Sequence, residues 1–188
     1  MSGRPSILSE TRIRRAALEA ATARERLTFT TVARRLGVSA QAIYKYYRNA
    51  EALRIDVAQE LLSRFKWRET LQTSGGDVPS LFIGFGLGYR DWVEETGFNP
   101  EVLIPTTPFS GNSNEHMSTF QAEVMKEFQE RARAWDVDPE SVATGVKLLF
   151  GHLFYGQALA LRRNPDSLEE KDLFKYGLEA IGVWVQTR

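Results

Sequence analysis

The chain has 188 residues, of which 43% are hydrophobic and 26% charged, and it contains no cysteine. This composition is typical of a globular protein rather than a disordered chain. The lack of cysteine excludes disulfide scaffolds, cysteine-based zinc sites and thiol nucleophiles. The two histidines, His116 and His152, leave little material for a metal centre or a histidine-based triad. We therefore expect no metal, no cofactor, no catalytic residue and no enzymatic activity.

The net charge is zero, but it is unevenly distributed. Residues 1–68 carry 14 Lys and Arg against 6 Asp and Glu, whereas residues 69–188 carry 10 against 18. A basic first third predicts a module that binds a polyanion, the alternative being a chance imbalance on solvated helix faces.

The chain opens without a signal-peptide pattern, and its most apolar stretch, 148–161, is shorter than the roughly 20 residues that span a bilayer. We expect a cytoplasmic protein with no membrane contact.

An all-α fold is predicted, because a 3.6-residue periodicity recurs along the chain and strand signals are almost absent. Ser9, Thr28 and Ser39 are candidate N-caps of three short helices in the basic third. Gly37 ends the second of these helices. A longer fourth helix is predicted from about Ala50, with an apolar stripe that ends at Phe65, and the segment 72–79 is predicted as a turn.

Five further helices bring the predicted total to about nine. They cover 80–95, a short segment at 99–104, a segment around 117–128, a helix from 139 to about 163, and 168–186. The segment 105–114 contains two prolines and several small polar residues, which predicts a loop.

Residues 28–47, with the sequence TFTTVARRLGVSAQAIYKYY, have the pattern of a helix-turn-helix. Two helices that cross through a short turn need a small side chain at the crossing, which Ala33 supplies, and Gly37 supplies the turn. The second helix then exposes polar and aromatic groups suited to base edges and phosphates. These groups are Ala40, Gln41, Tyr44, Lys45 and Tyr46.

The segment LTFTTVARRLGVSAQAIYKYYRNAEAL resembles the DNA-binding domain of TetR-family transcriptional regulators, and the resemblance covers roughly residues 10–60. It implies a helix-turn-helix domain at 1–50, followed by a helical effector-binding and dimerisation domain at 51–188. It also implies a bacterial, ligand-responsive repressor that binds a palindromic operator in double-stranded DNA as a homodimer. Ala50 departs from the lysine common at that position, and Arg48 lies close enough to substitute in a phosphate contact.

The resemblance assigns a role to each exposed residue. It implies that Thr28, Ser39 and Tyr46 lie against the DNA backbone, and that Gln41, Tyr44 and Lys45 face base edges, with Ala40 on the same surface. The alternative is a helical protein-interaction adaptor that has only non-specific DNA affinity, in which Gln41 and Lys45 are ordinary surface residues.

The two C-terminal helices carry apolar residues from which we predict a dimer interface. The helix around 142–161 is apolar on more than one face, so one side can pack the domain core and another a second copy, and with the final helix it would give a four-helix contact. The alternative is that both helices merely complete the core of one monomer. The predicted interface residues are Phe154, Leu161, Phe174, Leu178, Ile181, Trp184 and Val185.

Aromatic residues of the second domain predict a pocket for a small apolar or aromatic effector, with 105–114 as its entrance. Its walls would be Phe85, Tyr89, Trp92, Phe120, Phe128 and Phe150, and His152 would help to orient the ligand. The alternative is a plain aromatic core with a hydrogen-bonded His152. Gly84 and Gly88 share a helix face, where they permit either a close helix contact or an open volume.

Overall fold

The computed structural model describes residues 8–104, 115–156 and 168–188, and this part of the chain contains helices and no strand, which confirms the all-α prediction. The α-helices are α1 (Glu10–Thr22), α2 (Phe29–Leu36), α3 (Ala40–Ile43), α4 (Ala50–Arg64), α5 (Trp67–Thr73), α6 (Val78–Thr96), α7 (Glu115–Ala132), α8 (Pro139–Gly151) and α9 (Leu168–Gln186). A short 3₁₀ helix at Pro100–Leu103 follows α6, another at Arg133–Trp135 follows α7, and a π-helical turn at His152–Gly156 continues α8.

The predicted capping bonds of Ser9 and Thr28 are confirmed, whereas Ser39 occupies the N-cap position of α3 without a side-chain capping bond. The Ser9 side chain accepts a hydrogen bond from the backbone N–H of Arg12 at 3.3 Å, and Thr28 does the same for Thr31 at 3.1 Å. Each bond satisfies a backbone donor that has no partner within the helix. Gly37 ends α2 with a φ of 66°, a left-handed conformation that glycine adopts without steric penalty.

The apolar stripe predicted for the fourth helix reaches Phe65, but the helix is interrupted there, and the separate helix that follows was not predicted. The helix α4 ends at Arg64, Phe65 is extended, and α5 begins at Trp67. Leu71 and Trp67 are buried, so the break lets α5 present them to the core from a new direction. Periodicity does not reveal such a break, because Phe65 continues the apolar stripe of α4 across it.

The glycines of α6 allow close helix contacts rather than an open volume. A Cβ atom at Gly84 would lie 2.5 Å from the Cβ of Ser74, and one at Gly88 would lie 2.2 Å from the Cγ2 of Thr70, so α5 rests directly on these glycines. Gly86 faces α9, where a Cβ atom would lie 2.4 Å from the Leu178 side chain.

The segment that follows α6 is fastened to the N-terminal helices by polar contacts. The backbone N–H of Asn99 donates to the carbonyl of Ala21 at 2.9 Å. Arg54 of α4, a buried arginine, donates to the carbonyl oxygen of Val102 at 2.6 Å and to that of Ile104, while it pairs with Glu51. The start of α4 is thereby linked to the 3₁₀ helix that follows α6. Among the described residues, no helix is long and apolar enough to cross a membrane.

Candidate nucleic-acid interface

The helices α2 and α3 form the predicted helix-turn-helix. Val38 in the turn donates its backbone N–H to the carbonyl of Ala33 at 3.1 Å. Ala33 and Val32 of α2 and Ile43 of α3 are buried, which places the small alanine at the crossing as predicted. The helix α3 has one regular turn, after which the backbone N–H groups of residues 46 and 47 both donate to the carbonyl of Ile43, at 2.9 and 3.0 Å.

Five of the eight predicted DNA-contacting residues are exposed, and the other three are half-buried. The side chains of Gln41, Lys45 and Arg48 make no hydrogen bond or ion pair within the described part of the chain. They are therefore available to an external partner. The exposed residues are Ser39, Gln41, Tyr44, Lys45 and Arg48, and the half-buried ones are Thr28, Ala40 and Tyr46.

Three hydroxyl groups of this surface differ in their availability. The Thr28 hydroxyl already caps α2 and lies 2.9 Å from the hydroxyl of Thr31. Ser39 is the N-cap of α3 without a side-chain capping bond, so its hydroxyl remains available. The Tyr46 hydroxyl donates to the carbonyl of Leu8 at 2.6 Å, so it would have to leave this acceptor before donating to a phosphate. The phosphate contacts themselves stay predictions.

Tyr44 packs one edge of its ring against Phe29, the first residue of α2. The ring centroids are 4.8 Å apart in an edge-to-face arrangement, and 54% of Tyr44 is exposed. The contact with Phe29 restricts the Tyr44 side chain while most of the residue still faces solvent. An aromatic group held in this way presents apolar surface for contact with a thymine methyl group.

Part of the positive charge of the N-terminal third is neutralised within the chain. Arg34 and Arg35, at the end of α2, both pair with Glu25, at 3.1 and 2.8 Å. Lys45 and Arg48 have no such partner in the described residues. The positive charge that is not neutralised therefore includes Lys45 and Arg48. Both lie in the recognition segment, which we define as residues 39–48.

Asp56 of α4 joins the end of the recognition segment to α1. Its Oδ2 atom accepts a hydrogen bond from Nε of Arg14 at 2.8 Å and another from the hydroxyl of Tyr47. Burial, helped by the hydrogen bond to Asp56, raises the pKa of Tyr47. The Tyr47 ring is buried, and local sequence patterns do not reveal its polar contact, because Asp56 lies 9 residues from Tyr47 and 42 residues from Arg14 in the chain.

Comparison with known proteins identifies the fold. No protein-family model and no curated protein matches the chain. In structure, the chain is similar to a TetR variant from Acinetobacter baumannii AYE in complex with minocycline, with a TM-score of 0.65, 17% identity, and coverage of 94% of this chain and 96% of that one. The chain has the TetR-family fold.

Two further solved structures with this TetR-family fold are transcription regulators. A TetR-family transcriptional regulator from Streptomyces coelicolor gives a TM-score of 0.58 at 15% identity, covering 95% of this chain and 82% of that one. The transcriptional repressor QsdR of R. erythropolis, from the TetR family, gives 0.52 at 19% identity, covering 95% and 96%. Structural neighbours of this chain are thus regulators and not enzymes.

In the described residues, no group of three or more His, Asp or Glu side chains is placed to hold a metal ion.

Most of the predicted effector-binding aromatics lie in the interior of this TetR-family fold. Phe85, Tyr89 and Phe128 are fully buried, and Trp92 and Phe150 are nearly so. Their rings pack on one another, with centroid distances of 5.4 Å for Phe85 and Phe128 and 5.8 Å for Tyr89 and Trp92. This close packing fits the alternative of an aromatic core.

One polar atom in this aromatic cluster is unsatisfied. The hydroxyl of Tyr89 is buried and has no hydrogen-bond partner in the described part of the chain. Burial raises its pKa, because the charged form is excluded from an apolar site. A buried polar group without a partner is uncommon and destabilising.

A cleft of about 710 Å³ lies next to this cluster, between α1 and α4 on one side and α5 and α7 on the other. Its apolar lining includes Phe65, Trp67 and Phe120, so Phe120 is the predicted pocket residue that faces it. The Phe65 ring packs against Trp92 at 4.9 Å and against Tyr89 at 5.9 Å, and it therefore separates the cleft from the buried cluster. The predicted entrance at 105–114 lies outside the described residues.

His152 is hydrogen-bonded within the fold. Its Nε2 atom lies 2.8 Å from the carbonyl oxygen of Phe174, and the two rings stack at 4.9 Å. His152 is half-buried, and this hydrogen bond fits the alternative of a structural histidine rather than a ligand-orienting group.

Four predicted dimer residues are buried in the chain's own core, which fits the monomer-core alternative for them. These are Phe154, Phe174, Leu178 and Val185, whereas Ile181 and Trp184 are half-buried and Leu161 lies outside the described residues. Other apolar side chains of the same elements are exposed: Leu148 and Tyr155 on α8 and its π-helical turn, and Leu173, Tyr176 and Val183 on α9. Periodicity alone did not distinguish the two faces of these helices.

Proposed function

We propose that this protein is a sequence-specific DNA-binding transcriptional regulator that acts as a repressor. The observation that carries the proposal is the recognition segment, which presents Gln41, Lys45 and Arg48 without intramolecular partners at the second helix of a helix-turn-helix. The TetR-family fold, shared with transcription regulators, supports the same function. Such a regulator would work in the cytoplasm of a bacterium.

The recognition segment suits the major groove of DNA. Gln41 has the donor and acceptor pair that matches adenine, and Lys45 has donors that match guanine O6 and N7. Thr28, Ser39, Tyr46 and Arg48 would lie along the flanking phosphates, where contacts fix orientation but do not read sequence. The N-cap position of Ser39 also places backbone N–H groups toward that side.

A homodimer on a palindromic operator follows from the size of one helix-turn-helix, which reads few base pairs alone. We define the apolar face as Leu148, Tyr155, Leu173, Tyr176 and Val183, all about half exposed. Spacings of three, seven and ten residues place Leu173, Tyr176, Ala180 and Val183 on one side of α9. Two copies that pair these faces would bury them in a four-helix contact.

A small apolar or aromatic effector would release the DNA by favouring a conformer with misplaced recognition segments. The unsatisfied Tyr89 hydroxyl and the adjacent cleft support a site in this region, reached by displacement of Phe65. The TetR variant from A. baumannii binds minocycline, so that compound is a reasonable first probe. A Tyr89→Phe variant would keep the packing and lose the hydrogen bond to the effector.

The decisive experiment is selection of duplex DNA from a random pool by the purified protein at physiological salt. Recovery of a palindrome would support a dimeric, sequence-specific regulator, and the recovered duplex would serve as the probe for effector release. Recovery of unrelated fragments at similar affinity would contradict the proposal and favour the protein-interaction adaptor. A Gln41→Ala, Lys45→Ala double variant is the control, because both side chains are exposed and unpaired.

A further inference from the structure

The helix of the recognition segment is too short to be stable or to keep its orientation without contacts to other helices. Its regular helix, Ala40–Ile43, has four residues, and isolated helices of this length are unstable in water. Its orientation must therefore come from tertiary contacts. Ile43 and the Tyr47 ring supply buried apolar contacts, but such contacts are non-directional.

Two hydroxyl groups at the end of the segment supply directional contacts. Tyr46 donates to the carbonyl of Leu8, a residue outside regular helix that precedes α1. Tyr47 donates to Asp56, which lies in the middle of the 15-residue helix α4. The second anchor is the firmer one, because its acceptor belongs to a long helix.

The Asp56 carboxylate is itself held in place. The Nε of Arg14 donates to the same oxygen that accepts from Tyr47, so α1, α4 and the end of the recognition segment meet at one atom. The Asp56 side chain is 23% exposed and that of Arg14 is 36% exposed, so the contact is partly shielded from water. Hydrogen bonds to charged groups are stronger and more direction-dependent than neutral ones.

We propose that Asp56 is a positioning residue for DNA recognition: through Tyr47 it sets the angle at which Gln41 and Lys45 face the major groove. Asp56 does not itself contact DNA. The inference rests on the proposed function, since it concerns how the same surface is aimed. It predicts that loss of the contact reduces discrimination between DNA sequences more than it reduces the general attraction to DNA.

A double-mutant cycle with Asp56→Ala and Tyr47→Phe tests the contact. Dissociation constants would be measured for the duplex that the wild type selects and for a random-sequence duplex of equal length. We expect each single variant to bind the selected duplex about 10-fold more weakly, and the double variant to bind no more weakly than the weaker single variant. Affinity for the random duplex should change less than about twofold, with the same salt dependence.

Two variants separate positioning from folding. Asp56→Asn keeps an oxygen that can accept from Tyr47, so it should retain most of the discrimination and replace Asp56→Ala if that variant fails to fold. Glu60→Ala is the matched control, because Glu60 also lies on α4 and pairs only locally with Arg64. Equal losses on both duplexes, or independent effects of Asp56→Ala and Tyr47→Phe, would overturn the proposal.

Hydrogen–deuterium exchange without DNA separates this inference from the proposed function. Asp56→Ala should accelerate exchange of the backbone amides in 39–47 and leave those of α9 unchanged, and unchanged exchange in 39–47 would refute the positioning role. If the wild type shows no sequence preference in the selection, the proposed function fails, whereas the exchange result still decides whether Asp56 orders the segment.

Discussion

In the N-terminal helices, charged side chains join separate elements, whereas in the C-terminal helices glycines bring backbones together. Asp56 of α4 binds Arg14 of α1 and Tyr47 at the end of the recognition segment, and Arg54 of α4 binds the carbonyl groups of the segment that follows α6. In contrast, Gly84 and Gly182 stand where a Cβ atom would collide with a neighbouring element. Hydrogen bonds have defined directions, so they suit a surface whose orientation must be set. Close packing of backbones instead suits a rigid support.

The largest effect of a substitution is expected at the apolar face of the C-terminal helices. A Leu173→Asp, Tyr176→Asp variant places two charges on this face, and hot-spot residues contribute about 2 kcal/mol or more. We therefore expect association to weaken at least about 30-fold, so that a dimer becomes a monomer in analytical ultracentrifugation. Lys175→Asp is the control, since it introduces the same side chain at an exposed polar position of α9. A dimer that survives the double variant would place the interface elsewhere.

In the recognition segment, a Gln41→Ala variant should weaken binding to the selected duplex by about 1–3 kcal/mol and relax preference at one base pair, because a bidentate contact to a base would be lost. Competition binding with duplexes substituted at each position measures this preference. The fold should be unaffected, since Gln41 is exposed and unpaired.

Lys45→Ala provides the comparison for this variant. If Lys45 lies against phosphate rather than a base, binding should weaken uniformly and the salt slope should fall by about 1. Uniform weakening by Gln41→Ala as well would move Gln41 to the backbone contacts and leave base reading to other residues.

In the C-terminal region, Gly182→Ala should lower the free energy of unfolding by about 1–3 kcal/mol, because an added Cβ atom would lie 2.5 Å from the backbone Cα of Pro79. Alanine gains helix propensity, which offsets part of this loss. Chemical denaturation measures the difference. Gly75→Ala is the matched control, since nothing lies within 4 Å of a Cβ atom there, and comparable losses in both variants would contradict the packing argument.

The smallest effect concerns the N-cap of α8. The backbone N–H and the hydroxyl of Ser141 donate hydrogen bonds to the Asp138 carboxylate. These bonds, the backbone one most strongly, lower the pKa of Asp138 below the ordinary 3.8. The group therefore stabilises the fold above about pH 4, and this stability is lost as the pH falls through the folded-state pKa. Asp138→Asn keeps a capping oxygen without a titrating group, so its thermal midpoint should fall less between pH 5 and 3. An identical acid profile would exclude this contribution.

Local patterns predicted the N-terminal third well. The caps at Ser9 and Thr28, the left-handed Gly37 and the buried Ala33 all depend on neighbours within a few residues, and each is present in the structure. The break at Phe65 was missed, because a helical stripe does not encode where tertiary packing interrupts it. The effector pocket and the dimer residues were least accessible to prediction, since both depend on which side of an apolar helix faces its own core.

The sequence by itself determined the helical class, the helix-turn-helix and its exposed recognition residues, because these follow from short-range periodicity, capping and turn chemistry. Only the tertiary structure decided that α6 uses its glycines for contact, that Phe174 and Leu178 are core while Leu173 and Tyr176 are exposed, and that Asp56 meets Tyr47. The physical reason is that these outcomes depend on pairings between distant segments. The local pattern of an amphipathic helix is compatible with more than one such pairing.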